Sequence, residues 1–233
     1  MRLDQFVSQA TGLSRTYAQR LIRGAAVTVN AQILKQPSQH IDPASIIELE
    51  HEIITLPQAL YLMLNKPNGV VSATVDPSQR TVLDLIDHPH RHALHLVGRL
   101  DKDTTGLLLL TNDGDWSHRI ASPRHQIGKT YLVHLANTLA NSAMDQLCQG
   151  VQLQGEKHLT APALVEMVEE RCIRLTIYEG MYHQVQRMLA AVGNEVVGLH
   201  REKIGDLALD NHLALGQWRM VFPRERVFTP RCI

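Results

Sequence analysis

The sequence predicts an α+β chain in two parts: a small helical module with a short hairpin, then a larger domain built on a mixed, largely antiparallel sheet flanked by helices. Three observations carry this expectation. Two short amphipathic helical patterns stand at the N-terminus, apolar runs of strand length recur beyond residue 60, and helical patterns interrupt those runs at irregular intervals. A chain of 233 residues has room for both parts, which we place at residues 1–58 and 59–233.

In the first part, Leu3, Phe6, Val7 and Ala10 repeat at helical spacing and stop at Gly12, a residue suited to the left-handed position that ends a helix. Ser14 is a good N-cap for a second helix over Arg15 to Arg23, with Ala18, Leu21 and Ile22 on its apolar face. AAVTVNAQIL then reads as strand, turn, strand, and Val29-Asn30-Ala31 lacks the glycine that two-residue hairpin turns favour, which predicts a different turn type. Charge is uneven here. Arg15, Arg20, Arg23 and Lys35 come without an intervening acid, whereas Asp42, Glu48, Glu50 and Glu52 follow. Arg20 and Arg23, three apart on one helix, share a side that either tracks a phosphate backbone or is simply solvated.

IITLPQA, residues 53–59, reads as a linker. Beyond it, YLMLN and VVSA flank a Lys66-Pro67-Asn68-Gly69 turn and predict a hairpin, and Thr81 can cap a short helix through LDLI. CIRLTIYEG alternates as a half-buried strand should. HQVQRMLAAV places Val185, Met188, Leu189 and Val192 on one helix face, and EVVGL is a further strand.

The totals exclude several function classes. Twenty-three basic and twenty-three acidic residues leave no net charge, so any nucleic-acid signal must be local. Cys148, Cys172 and Cys232 are too few and too far apart for a disulfide framework or a thiolate zinc site, which fits a reducing, cytoplasmic setting. No segment has signal-peptide or membrane-spanning character, and no long apolar seam argues against a monomer. HPHRHALH, residues 88–95, holds four histidines at no standard zinc spacing, and its proline breaks any helix, so it reads as a surface loop. Glycine-rich phosphate cradles are lacking, and neither a cofactor nor a metal is expected.

The chemistry concentrates in GRLDKDTTGLLLLT, residues 98–111. A strand through LHLV runs into the loop RLDKDTTG, and LLLLT resumes as a second strand, so buried structure holds the loop at both ends. Arg99 and Asp101 lie two apart on one side of an extended backbone, where the guanidinium would favour the ionised carboxylate. From the residues alone this is either a structural ion pair or a reacting pair. Asp101 and Asp103 also admit a D-x-D metal site, or a glycosidase carboxylate pair at an odd separation.

GRLDKDTTGLLLLTNDG resembles the central motif of the RsuA family of pseudouridine synthases, and DWSHRIASPRHQIGKTYLV and EGMYHQVQRMLAAVGNEVVGLHREKIG are similar to its second and third regions. The first fifty residues resemble the S4-type RNA-binding domain. The resemblance implies isomerisation of uridine to pseudouridine in 16S ribosomal RNA, at position 516 of that RNA, without a cofactor. It implies free 16S RNA or a small-subunit assembly intermediate as the partner. It further implies Asp101 as nucleophile, Arg99 as its carboxylate partner, and Tyr131 as the ring that stacks on the flipped base and assists proton transfer. RNA contacts are implied for Arg15, Arg20, Arg23, Lys35, Lys129, Gln186, Arg187, His200 and Arg201. Gln186 stands where the family carries Arg or Lys, so a catalytically impaired RNA-binding or assembly protein is the alternative reading.

Overall fold

The computed structural model describes residues 1–221, so Cys232 and the end of the 59–233 domain lie outside the described residues. Two compact units are present: Met1–Ala59 together with His88–Ala93, and Leu60–Asp87 together with the chain from Leu94 onward.

In the first unit, helices α1 (Leu3–Thr11) and α2 (Arg15–Arg23) precede strands β1 (Val27–Val29), β2 (Gln32–Ile33), β3 (Ile47–Leu49) and β4 (Glu52–Ile53), paired antiparallel in the order β2-β1-β3-β4. Gly12 ends α1 at φ 74°, and the Ser14 hydroxyl accepts the Tyr17 amide to start α2. Leu3, Val7, Ala18 and Ile22 meet Val27, Val29 and Ile47 in the core. A fully buried carboxylate joins the helices: Asp4 receives Arg2, Arg15 and Gln19 at 2.9–3.1 Å. Burial alone would raise its pKa, but those donors outweigh burial and hold it well below the usual carboxylate range.

The turn at Asn30-Ala31 corrects the sequence expectation. Both residues take left-handed φ, 50° and 63°, as a type I′ turn requires, although the second is alanine. Val29 pairs with Gln32, leaving a two-residue loop. Asn30 supplies the reason, because its amide donates to Ile46 O and its side-chain oxygen accepts the Ile46 amide, which binds the turn to the entry of β3.

The second unit is one sheet in the order β13-β5-β7-β11-β8-β10-β9, comprising β5 (Tyr61–Lys66), β7 (Thr105–Thr111), β8 (Lys129–Leu135), β9 (Leu164–Glu169), β10 (Cys172–Ile177), β11 (Val196–Ile204) and β13 (Trp218–Met220), with β6 (His95–Val97) beside β7 and β12 (Leu207–Ala208) beside β11. Among the strands of the described residues only β7 and β11 pair in parallel. Helices α3 (Gly114–Ala121), α4 (Asn141–Gln149) and α5 (Gln184–Ala191) complete it. The four leucines of β7 are consecutive because this strand is buried on both faces. Leu108 and Leu110 face the core with Val133, Leu175 and Leu189, whereas Leu107 and Leu109 face Met63, Trp116 and Ile120.

Val70 and Val71 do not return beside β5 as a hairpin strand. Val71 makes only a bridge to Thr81, and Gly69 donates its amide to Lys102 O, so the segment turns toward the loop before β7. β5 pairs instead with β7 and β13. LDLI does form a short helix, of 3₁₀ type, in which the Thr81 and Asp84 side chains cap reciprocally.

Lys66, at the end of β5, is 0% exposed, and its ammonium donates to the carbonyls of Pro67, Lys102 and Thr104 at 3.1, 3.1 and 2.8 Å. The Ser72 hydroxyl donates to Leu100 O at 2.6 Å and accepts the Leu100 amide at 3.1 Å. The backbone on both sides of Asp101 is thereby held by buried donors. Burial lowers the Lys66 pKa to about 8.

Two predictions follow from these local arrangements. Ala31→Gly removes the left-handed penalty at an unchanged turn, offset in part by a more flexible unfolded chain. It stabilises the first unit by about 0.5–1 kcal/mol in urea unfolding. Lys66→Met frees the loop, read as faster amide hydrogen exchange across residues 100–104. Because the folded pKa of Lys66 lies below the unfolded value of 10.5, the unfolded chain binds the extra proton between pH 8 and 10.5. Wild-type stability therefore rises relative to Lys66→Met across that window, by at most about 3 kcal/mol.

Candidate active site

A pocket of about 470 Å³ opens beside the loop that follows β6, lined by Arg99, Asp101, Thr104, Lys129, Tyr131, Gln186, Arg201 and the Tyr182-His183 pair. Its floor is a consequence of strand register. Lys129 and Tyr131, two apart on β8, project from one face, and Tyr131 pairs with Arg201 of β11. Gly106 of β7 sits against Arg201 in the parallel pair, at φ 102°, where a Cβ would lie 2.4 Å from Arg201 O. Only glycine lets the two backbones meet so closely.

Asp101 has about a third of its side chain exposed and presents its carboxylate to two groups. His183 Nε2 lies 3.4 Å from one oxygen and Gln186 Nε2 lies 3.5 Å from the other. The expected Arg99 pairing is not made. Arg99 is exposed, and its carbonyl, not its guanidinium, serves the site, accepting from Arg201 Nη1 at 3.5 Å.

Arg201 is buried, at 3% exposure. Its Nε donates to Leu107 O at 2.8 Å and its Nη1 reaches the Tyr131 hydroxyl at 3.4 Å. Arg201, expected to contact RNA, is a buried strut that ties β7, the Asp101 loop and Tyr131 together at the pocket floor. Tyr131 is also buried, with its ring 5.9 Å from the Arg201 guanidinium carbon. Lys129 enters the same floor, and burial, reinforced by the charge of Arg201, lowers its pKa to about 8. Thr104 Oγ1 and Arg201 Nη2 are buried polar atoms of pocket-lining residues with no partner among the described residues, as suits a site that takes a polar ligand.

The remaining expected RNA contacts divide. Arg187 is committed to protein oxygens, donating to Tyr182 O, Gln154 O and the Glu156 carboxylate at 2.8–3.0 Å. His200 bonds Thr105 Oγ1 through Nδ1 at 2.8 Å, and burial lowers its pKa, which favours the neutral ring. In the first unit Arg20, Arg23 and Lys35 are exposed, whereas Arg15 pairs with Asp4 at 3.1 Å. Lys66, Ser72 and the orientation of His183 were not visible in the residue pattern. The Lys-Pro-Asn-Gly turn was the signal available for Lys66, but nothing in it marked the ammonium as buried.

The sequence pattern of RNA pseudouridylate synthases matches residues 60–191, and that of the S4 domain matches residues 1–47. The chain is 49% identical to the ribosomal small subunit pseudouridine synthase A of Escherichia coli K12 over 97% of this chain and 98% of that one. It is 47% identical to the protein of the same name from Yersinia pestis over 97% and 96% of the two chains. A crystal structure of a pseudouridylate synthase superposes with a TM-score of 0.71 at 46% identity, covering 95% of this chain and 96% of that one. An S4 domain followed by a sheet that sets a carboxylate loop over a tyrosine and two cations identifies the chain as a member of the RNA pseudouridylate synthase family.

Proposed function

We propose that the protein isomerises uridine to pseudouridine in the 16S RNA of the small ribosomal subunit, with Asp101 as the reacting carboxylate. The observation that carries the reading is the placement of Asp101 on a loop pinned by Lys66, Ser72 and Arg201, at the mouth of a pocket floored by Tyr131 and Lys129. Residues 1–58 supply RNA binding through Arg20, Arg23 and Lys35, and residues 59–233 supply the chemistry. The protein works as a cytoplasmic monomer, and no helix of the described residues is long and apolar enough to cross a membrane.

The reaction needs no oxidant and no activated co-reactant. The target base leaves its stack, which costs a few kcal/mol, and enters the pocket against Tyr131. Asp101, as nucleophile, bonds through a carboxylate oxygen to C1′ as the N1–C1′ bond breaks, and the N1–C1′ electron pair departs with the base as a uracil anion. Lys129 and Arg201 favour that anion in a water-poor site. The base turns and its C5 bonds to C1′ as the ester bond to Asp101 breaks and its electron pair returns to the carboxylate. Loss of the C5 proton, in the vicinity of the Tyr131 hydroxyl, and protonation of N1 complete an isomerisation in which atoms and electrons balance.

A second reading rests on the neighbours of Asp101, an amide and an imidazole, where a permanent cation would hold the anion more firmly. It describes an RNA-binding or assembly protein with impaired turnover.

Wild type and Asp101→Asn are incubated with 16S RNA and with an assembly intermediate, and pseudouridine is mapped by carbodiimide-blocked primer extension. Wild type makes one site, at position 516, and Asp101→Asn makes none while binding RNA as before. No site from either protein, with RNA binding intact, overturns the reading in favour of the second. Gln186→Lys adds a charge-assisted bond to Asp101 and raises single-turnover rates about tenfold, or ~1.4 kcal/mol. An unchanged rate would show that His183 and Gln186 already suffice.

A further inference from the structure

Tyr182 is an aromatic side chain that the chemistry above does not use, and its setting is unusual. It is 77% exposed, yet it lines the rim of the pocket that holds Asp101. One ring face is covered: Tyr182 and His183 stack with centroids 3.9 Å apart and planes 16° from parallel. The opposite face is turned to solvent.

The backbone holds this pair in place. His183 sits in the left-handed region at φ 46° and ψ 41°, a conformation that a non-glycine residue keeps only where its surroundings impose it. Consecutive side chains in ordinary helical or extended backbone diverge, and the left-handed residue brings these two rings face to face. Arg187 Nη1 donates to Tyr182 O at 3.0 Å, and Arg187 Nη2 is tied to Gln154 O and Glu156, so the carbonyl of Tyr182 is anchored to a neighbouring loop. The inner ring of the stack, His183, lies 3.4 Å from the Asp101 carboxylate. The result is a two-ring column that begins at the reacting group and ends in an open aromatic face.

An exposed tyrosine alone would need no explanation. This one ends a strained, braced column at the point where a base must leave its neighbours. Extraction of a uridine leaves the adjacent nucleotide without a stacking partner on one side, and an aromatic face at the pocket rim replaces it. We propose that Tyr182 is a substrate-binding residue whose outer face stacks on the nucleobase adjacent to the flipped uridine. Every base has a π-face, so the contact accepts any of the four and secures the flipped state without reading sequence. The proposal rests on the reading of Asp101 as the reacting carboxylate only in identifying which uridine is flipped.

The test uses full-length protein and a 16S RNA segment spanning the mapped uridine, with 2-aminopurine placed in turn on either side of it. Wild type and Tyr182→Phe quench the fluorophore at one of the two positions. Tyr182→Ala does not, binds the segment about tenfold more weakly, and shows its loss in KM more than in kcat. Equal melting temperatures for the three proteins exclude a folding defect, as expected for so exposed a side chain. Quenching and affinity unchanged in Tyr182→Ala overturn the proposal. Absence of pseudouridine from wild type on the same RNA would count against the catalytic reading alone, because the contrast in quenching still decides the stacking.

Discussion

A buried ammonium sets the geometry on which the site depends. Among the described residues Lys66 has no carboxylate in contact; its three protons go to backbone carbonyls, two of which belong to the loop that carries Asp101. A loop fixed through carbonyls is fixed whatever side chains it bears, so the carboxylate is free to face the pocket. Ser72 and Arg201 add donors to Leu100 and Arg99, so holding points stand before Asp101 as well as after it. Burying a charge this way is costly, as the depressed pKa of Lys66 shows, and the carbonyl dipoles offset part of that cost. The doubly buried β7 supplies the rigid body against which the clamp acts.

The same economy runs through the pocket floor. Arg201 has too little exposure to meet a phosphate backbone, yet it joins β7, the Asp101 loop and Tyr131 with one planar group. Its approach to β7 needs Gly106, and the register of β11 shifts just after Arg201, a bulge beside the reacting groups. Lys129 and Arg201 place positive charge beneath the pocket, where the proposed reaction releases an anionic base. Asp101, by contrast, meets His183 and Gln186 among the described residues, so its charge is held by hydrogen-bond donors more than by a permanent cation. In the proposed reaction the floor favours the departing base, and the mouth leaves the carboxylate available to react.

Local strain appears where it positions something. Asn30 and Ala31 accept left-handed backbone to close a two-residue hairpin, and Glu50 and His51 do the same between β3 and β4. At His183 the left-handed backbone aims an imidazole at Asp101 and lays a tyrosine across it.

Much of this architecture is legible in the order of residues. Helical spacing at Leu3, Phe6 and Val7, the cap at Ser14, the apolar run of β7 and the alternation of β10 are consequences of local period and polarity, and the structure keeps them. The loop motif around Asp101 and the Lys129-x-Tyr131 pair are likewise written along the chain, since residues two apart on a strand share a face. What the linear order left undecided involves partners distant in sequence. Arg99, two residues away, shares a side of an extended backbone with Asp101, but the groups that reach its carboxylate come from residues 183 and 186. Val70 and Val71 have strand character, yet Gly69 is drawn to Lys102. Lys66, expected in a turn, and Arg201, expected to contact RNA, are buried with backbone carbonyls among their acceptors, which every residue possesses and no side-chain pattern reveals. Composition and period settle which face of an element is apolar; the identity of a polar partner depends on which backbones folding brings within 3 Å, and that is a property of the assembled sheet.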